Sequence, residues 1–490
     1  MTESRQYLLL DVGGQSVRAQ VRDAFGRVVA NARRKLSTFD DGAGRVTLDA
    51  EQVLAATRAV MDEVAARREI SPADTIAAGL SVQRGSVVCW DRQDGRALSP
   101  VFSWRDRRGW VAAEDRDPHL AERIRRITGL RHSPYGGAGK LRWSLEELDT
   151  VRRARDADRL AAGPLGSFLV HRLLRETPFS VDDSLAQRSL LWSWRECDWS
   201  PALLESFGIP GSILPRVHPS GNLYGHLDGA FAGVPFQYLV GDQNALARLG
   251  GEAANRSLMI NAGTGAFMLR PLAHPCLAAG YQTSFLERGP EGGRFALEAS
   301  IHGAASAFHW LGEYEGRPFR PESLQHLRAR CPRPVLFVNS VDGLGSPWWE
   351  SGPDPHFVGE GAADARLLAV VESVAFLMRC NLVGIEAASG PVDAIRLSGG
   401  LSRSSEFRGL LADLVQRPVH CLEEVEGSLV GLWCALADQP PPKDAWSVVA
   451  PTPAPDLEQR YREWCAIMPP LPDPDAAPLS DELSRYGTRQ

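Results

Sequence analysis

Two carboxylates in this 490-residue chain follow apolar runs and could do chemistry there. Asp11 closes "YLLLD", and Asp242 follows "FQYLVG". Three glycine-rich stretches accompany them. "DVGGQSVR" holds Gly13, Gly14, Gln15, Ser16 and Arg18; "NAGTGAF" holds Gly263, Thr264 and Gly265; "SGGLSRSS" holds Gly399, Gly400 and Ser404. Bare turns expose backbone N–H groups that cradle phosphate oxygens. One carboxylate can hold a divalent cation while the other takes a proton from a hydroxyl nucleophile. That is the minimum equipment for phosphoryl transfer to an alcohol. Each feature also has a plainer reading, a tight hairpin turn or an Asp that caps a helix. On the residues alone both readings stand.

Other phosphate and metal chemistries are excluded by their missing motifs. No G-x-x-x-x-G-K-[ST] occurs, no G-x-G-x-x-G follows a strand, and there is no H-E-x-x-H. The eight cysteines are scattered without a C-x-x-C pair, which argues for free thiols in a reducing cytoplasm rather than a zinc site. A net charge of −6 argues against a nucleic-acid protein, though not against a small anionic ligand. The N-terminal apolar segment is too short for a signal peptide, and no run is expected to span a membrane. The expected location is the cytoplasm.

The elements that must position these residues are legible in outline. Alternating segments at 6–11, 16–23 and 27–36, split by "VGGQ" and "AFGR", predict a meander with glycine turns. A helix is expected near 49–68, a strand at 76–82, and helices through 110–176, including "SFLVHRLL". The pattern restarts at "SLMINAGTGAFMLR", again strand, small-residue tip and returning strand. A third strand (294–300), a helix from "AASAFHWLGE", an amphipathic helix at 365–387 and a strand at 394–400 follow. The repeated hairpin points to two related lobes. Expected boundaries are 1–250 for the first lobe and 251–440 for the second. A Pro-rich tail, 441–490, reads as a peripheral strap with one short helix near 456–467.

These blocks, in this order, resemble the FGGY family of carbohydrate kinases within the actin/hexokinase/Hsp70 ATPase superfamily. "DVGGQSVR" is similar to the first phosphate hairpin, "VGDQNA" to the segment of the catalytic Asp, and "NAGTGAFM" to the second phosphate hairpin. "FALEASI", "LGSPWW" and "LSGGLSRSSEF" resemble later blocks. "SVQRGSVVCWDRQDGRALSPVFSWRDRR", "SPYGGAGKLRW" and "VDDSLAQRSLLW" look most like glycerol kinases within the family.

The resemblance implies an α/β protein of two actin-like, ribonuclease H-like lobes. Each would be a mixed five-stranded sheet flanked by helices, with a cleft between the lobes. It implies transfer of the ATP γ-phosphate to a hydroxyl of a small sugar or polyol, with Mg2+ as cofactor. Asp242 matches the general base, and Asp11 with Asp242 the metal site. Gly13, Gly14, Gln15, Ser16, Arg18, Gly263, Thr264 and Gly265 match the ATP phosphate site. Ala305, His309, Gly399, Gly400 and Ser404 match the rest of the nucleotide site. Arg84, Gly85, Trp104, Tyr135, Asp242 and Gln243 match the acceptor site. Homodimers are allowed; no nucleic-acid or membrane partner is expected.

The chain departs from the family pattern at four places. Gly14 replaces a Thr, Gly85 replaces the Glu of glycerol kinases, and Ala305 and His309 replace Gly and Gln. At position 85 a hole the size of the lost side chain is expected, large enough for the extra carbons of a four- to six-carbon sugar. A second reading is a catalytically weak nucleotide-binding sensor or scaffold of the same fold. An actin-like filament former is the third, and it leaves the segment at 84–107 without a purpose.

Overall fold

The computed structural model describes residues 5–109, 119–289, 292–318, 324, 326–331, 335–424 and 426–472. The chain forms two compact units that do not follow it as consecutive segments. The first comprises Met1–Leu249, Ser284–Arg294 and Ser428–Pro441; the second comprises Gly250–Thr283, Phe295–Gly427 and Pro442–Gln490.

The first unit is built on a six-stranded sheet in the order Gly221–His226, Pro235–Gly241, Thr75–Val82, Gln6–Val12, Ser16–Asp23, Val28–Lys35. Tyr7 to Leu10 are buried throughout, as a central strand covered on both faces should be. Gln6–Val12 returns through a glycine turn to pair antiparallel with Ser16–Asp23, and Asp11 stands opposite Arg18. On its other side it runs parallel to Thr75–Val82, which is parallel to Pro235–Gly241. Three parallel strands therefore deliver their C-terminal ends side by side. That is where open α/β sheets gather ligands.

A second, five-stranded sheet in this unit orders Thr38–Asp40, Val46–Leu48, Val101–Phe102, Val87–Asp91 and Leu160–Pro164. Helices Leu120–Thr128, Gly137–Glu147, Asp149–Asp156 and Leu165–Leu173 occupy much of the stretch read as helical, while Leu160–Pro164 is a strand. Residues 110–118 of that stretch lie outside the described residues. The helix Gly427–Ala437 joins the first unit from Ser428 onward. There Trp433 is buried and donates its indole N–H to the Asp23 carbonyl at 3.1 Å.

The second unit repeats the plan. A seven-stranded sheet runs Gln282–Gly289, Gly292–Ile301, Ala266–Leu272, Ser257–Ala262, Ala394–Ser398, Val419–Leu422, Trp446–Val449, and its five strands from Ala266–Leu272 to Trp446–Val449 lie wholly in this unit. Ser257–Ala262 is antiparallel to Ala266–Leu272 and parallel to Ala394–Ser398, the same pairings as in the first unit. The sheets hold six and seven strands rather than the five expected.

Two expectations about this unit are corrected. The helix at 365–387 spans Ala363–Ser389 and is not amphipathic but largely buried, in the core around Val370, Val374 and Phe376. It is long and apolar enough to cross a membrane, with mean hydropathy 1.7 in its most apolar window, yet 83% of that window is buried inside the protein.

The Pro-rich tail is not a peripheral strap. Trp446–Val449 pairs with Val419–Leu422 at the sheet edge. The helix Pro455–Ile467 drives Trp464 into the core at 1% exposure, its indole N–H donating to the Phe337 carbonyl at 3.0 Å. Arg460 from the same helix grips the buried Glu372 through two nitrogens, at 2.6 and 2.9 Å.

Candidate active site

Asp11 is buried within its strand and caps no helix. Its Oδ2 accepts from Arg18 Nη1 at 3.0 Å, and its Oδ1 from Ser428 Oγ at 3.0 Å. The turn that follows is tight: Gly13 N–H donates to the Ser16 carbonyl, and Thr38 Oγ1 donates to the Gly14 carbonyl. Gln83, at the end of the neighbouring parallel strand, donates through Nε2 to the Gly13 carbonyl at 3.4 Å. Its Oε1 is buried without a partner among the described residues. A Cβ added at Gly14 would sit 3.3 Å from that oxygen.

Asp242 is the first residue of the helix Asp242–Leu246, and Gly241 takes the N-cap position. The carboxylate is thus not the cap that an Asp after a strand often is. It accepts from the Gln243 N–H at 2.8 Å and faces Gln243 Nε2 at 3.4 Å and Arg84 Nε at 3.7 Å. Its side chain keeps 28% exposure, so a ligand can reach it. Burial pushes its carboxyl pKa upward, Arg84 opposes the shift and the Asp11 charge adds to it. Asp11 and Asp242 thus stand on either side of the central strand Thr75–Val82, and the charge of the first bears on the second.

Arg84 is buried, and its Nη1 donates to Asn244 Oδ1 at 3.2 Å. Asn244 is itself fixed by donating to the Phe285 carbonyl at 2.7 Å. Trp104 and Tyr135 cross edge-on with ring centroids 5.8 Å apart, and Arg107 reaches the Tyr135 hydroxyl at 3.5 Å.

Gly85 corrects the expectation of a hole. Its φ is +76°, and a Cβ there would lie 2.7 Å from the Tyr135 carbonyl oxygen. Backbone already fills the space where a Glu side chain would begin.

In the second unit, the tip Gly263–Gly265 closes with Gly263 N–H on the Gly265 carbonyl. It also receives the first amides of the helix Ala305–Tyr314: Ala305 N–H donates to Gly263 and Ser306 N–H to Thr264. A Cβ at Gly265 would sit 2.9 Å from the Ile301 carbonyl oxygen. Ala305 and His309 line a cavity of about 530 Å3 with Phe308, Gly312, Glu313 and Arg317. His309 is 82% exposed, 3.4 Å from Glu313. Gly399 has φ +90° and would meet the Ala262 carbonyl, while Gly400 opens onto free space. Ser404 is already engaged as an N-cap, its Oγ accepting from Phe407 N–H at 3.3 Å.

The first unit thus brings together Asp11, the turn Gly13–Ser16, Arg18, Arg84, Gly85, Trp104, Tyr135, Asp242 and Gln243. The second carries the remaining residues. Sequence reading missed Gln83, Ser428 and Asn244, each a polar residue that contacts a site residue from another segment. It also missed Asp182 and Ser184: Ser184 Oγ donates to Asp182 at 2.5 Å and accepts from the Gly241 N–H at 2.8 Å, bracing the residue before Asp242.

Glycine-tipped hairpins repeated in two α/β units are the plan of a two-domain sugar-kinase fold. The chain belongs to the FGGY family of carbohydrate kinases: the family's N-terminal domain matches residues 6–247 and its C-terminal domain residues 258–437. It is a carbohydrate kinase, of a family that uses ATP.

Over 427 residues it is 34% identical to a glycerol kinase of Trichlorobacter lovleyi, covering 84% of this chain and 85% of the relative. A glycerol kinase of Citrifermentans bemidjiense is 30% identical over 480 residues, 94% of this chain and 96% of the relative. Its fold is similar to the crystal structure of Plasmodium falciparum glycerol kinase with ADP, at TM-score 0.81 and 18% identity over 94% and 97% of the two chains. It is likewise similar to xylulose kinase from Rhodospirillum rubrum, at TM-score 0.80 and 21% identity over 94% and 98%.

Proposed function

We propose that this kinase transfers the γ-phosphoryl group of ATP to a hydroxyl of a small sugar or polyol, with Asp242 as general base. The acceptor oxygen bonds to the γ-phosphorus as the bond to the β,γ-bridging oxygen breaks. The hydroxyl proton passes to Asp242, and ADP leaves. One observation carries this reading: Asp242 stands at a strand end, partly open, held by Gln243 and faced by Arg84. The raised proton affinity of its carboxyl suits a base better than an ordinary surface Asp would.

In this reading Arg84, Trp104, Tyr135 and Gln243 meet the acceptor. The turn Gly13–Ser16 with Arg18, and the tip Gly263–Gly265, offer N–H groups to the phosphates. Ala305, His309, Gly399, Gly400 and Ser404 form the remainder of the nucleotide site. Asp11 and Asp242 fit Mg2+, since hard oxygen ligands from one or two carboxylates suffice where phosphates and waters supply the others. Such an ion would neutralise phosphate charge. Among the described residues no group of three or more His, Cys, Asp and Glu competes for it.

The relatives named glycerol kinase support a polyol or sugar acceptor. Glycerol itself is disfavoured by Gly85, where a charged acceptor of substrate hydroxyls is missing. A coupled ADP-release screen over glycerol, erythritol, pentitols, pentuloses and hexuloses tests both points. The best acceptor should exceed glycerol in kcat/KM by about tenfold or more, the scale of one lost hydrogen bond to a charged group. Glycerol emerging as best would overturn the specificity claim. No acceptor raising ADP release above ATP alone would overturn the proposed reaction.

A further inference from the structure

Lys140 lies in the helix Gly137–Glu147 and is completely buried. Its Nζ donates to three backbone carbonyls: Gly85 at 3.0 Å, Tyr135 at 3.2 Å and Trp104 at 3.3 Å. The three come from separate segments: the turn after Thr75–Val82, the loop before the helix, and the loop after Val101–Phe102.

Burying an ammonium is costly unless its donors are satisfied. Here the match is complete, because the group has three N–H donors and no acceptor and meets three carbonyls. The charged groups that bear on it are Asp106 and Arg108. Burial pulls its pKa down to about 7, against an upward pull from Asp106. A Met of similar length would avoid that cost but leave the three carbonyls without this donor, so the charge is kept for what it holds together.

The reason lies in what the carbonyls belong to. Gly85 follows Arg84, which reaches Asn244 and faces Asp242. Trp104 and Tyr135 supply the crossed rings. The convergence also explains the glycine, since at φ +76° and 2.7 Å from the Tyr135 carbonyl oxygen no other residue fits position 85 without strain.

We propose that Lys140 is a positioning residue for acceptor binding, one ammonium that holds the Arg84–Gly85, Trp104 and Tyr135 segments in a single geometry. The inference rests on the reading that those segments face the acceptor. Nothing in the chemical step passes through Lys140. It acts by fixing the backbone of the groups that touch the sugar.

The test compares the wild-type enzyme with Lys140→Met and Gly85→Ala, the second keeping the ammonium but pushing the Tyr135 carbonyl away. In both variants the KM for the best acceptor should rise about tenfold to a hundredfold, as for a lost hydrogen bond to a charged group. Binding of a nonhydrolysable ATP analogue should stay within about twofold, and kcat at saturating acceptor within about threefold, as for loss of ground-state and transition-state binding alike.

Amide hydrogen exchange at 84–86, 103–106 and 133–136 should quicken in Lys140→Met, a readout that needs no acceptor. Acceptor and nucleotide affinity falling together would overturn the inference, since that is the mark of general destabilisation. So would an unchanged acceptor KM with unchanged exchange. If Lys140→Met does not fold, an unchanged acceptor KM in Gly85→Ala overturns it. If wild type turns over no acceptor, the proposed reaction fails, and exchange alone decides for or against the clamp.

Discussion

At the scale of single residues, the base role proposed for Asp242 makes its loss specific. Asp242→Asn keeps the shape and removes the base, so turnover should fall by about 10²–10⁴-fold while nucleotide binding holds. A variant retaining most of its rate would make Asp242 a structural residue only. Gly14 carries a second prediction. A Cβ there meets only the flexible end of Gln83, and a Thr hydroxyl on it can donate to the orphaned Gln83 Oε1. Gly14→Thr should therefore be tolerated and stabilise by about 0.5–1.5 kcal/mol in denaturant melts, the usual net worth of one hydrogen bond. A clear loss of stability would mean the turn cannot accept a side chain. Asp11 and Asp242 were legible because each ends an apolar run, and that context is local. Ser428, Gln83 and Asn244 were not, because what matters is the segment each one meets in the fold. Lys140 hides for a different reason: nothing within "GAGKLRW" marks the residue as buried, and only tertiary packing makes it so.

At the scale of elements, the two glycine hairpins fell where the alternation placed them, at Gln6–Val12 with Ser16–Asp23 and at Ser257–Ala262 with Ala266–Leu272. The strand Leu160–Pro164 escaped notice because "LAAGP" is short, uniformly buried and without alternation. One short helix carries a pH signature. Asp182 caps Asp183–Gln187, accepting from the amides of Ser184 and Leu185 and from the hydroxyls of Ser184 and Ser220. Burial pushes its carboxyl up from the ordinary 3.8 to about 7. Between those values the folded protein holds a proton that the unfolded chain releases. Its contribution to stability is thus full below about pH 4 and is lost as pH rises through about 7, with a slope of at most ~1.4 kcal/mol per pH unit. Denaturant melts from pH 4.5 to 7.5 should show wild type losing stability relative to Asp182→Asn across that window. Parallel curves for the two proteins would contradict the assignment.

At the scale of the whole molecule, the tail shows how composition misleads. Proline-rich runs suggested a strap, yet Trp446–Val449 extends a sheet and Trp464 fills a core. Trp464→Ala should cost about 3–5 kcal/mol, the usual range for emptying a buried aromatic site, and a chain ending at 441 should not fold its second unit. Thermal melts check both; a Trp464→Ala melt matching wild type would restore the peripheral reading. The two-unit plan was legible because the hairpin with a glycine tip recurs in sequence, whereas the assignment of Ser428–Pro441 to the first unit has no local signal. The acceptor is the property least written in the chain, since Gly85 lies against the backbone of Tyr135 and brings no side chain of its own. Phosphorus-31 NMR of the reaction with ATP and the best acceptor tests the central claim most directly. Phosphoryl transfer predicts one new phosphomonoester resonance growing in step with ADP and dependent on the acceptor. ADP accompanied only by inorganic phosphate, at the same rate with or without the acceptor, would contradict it.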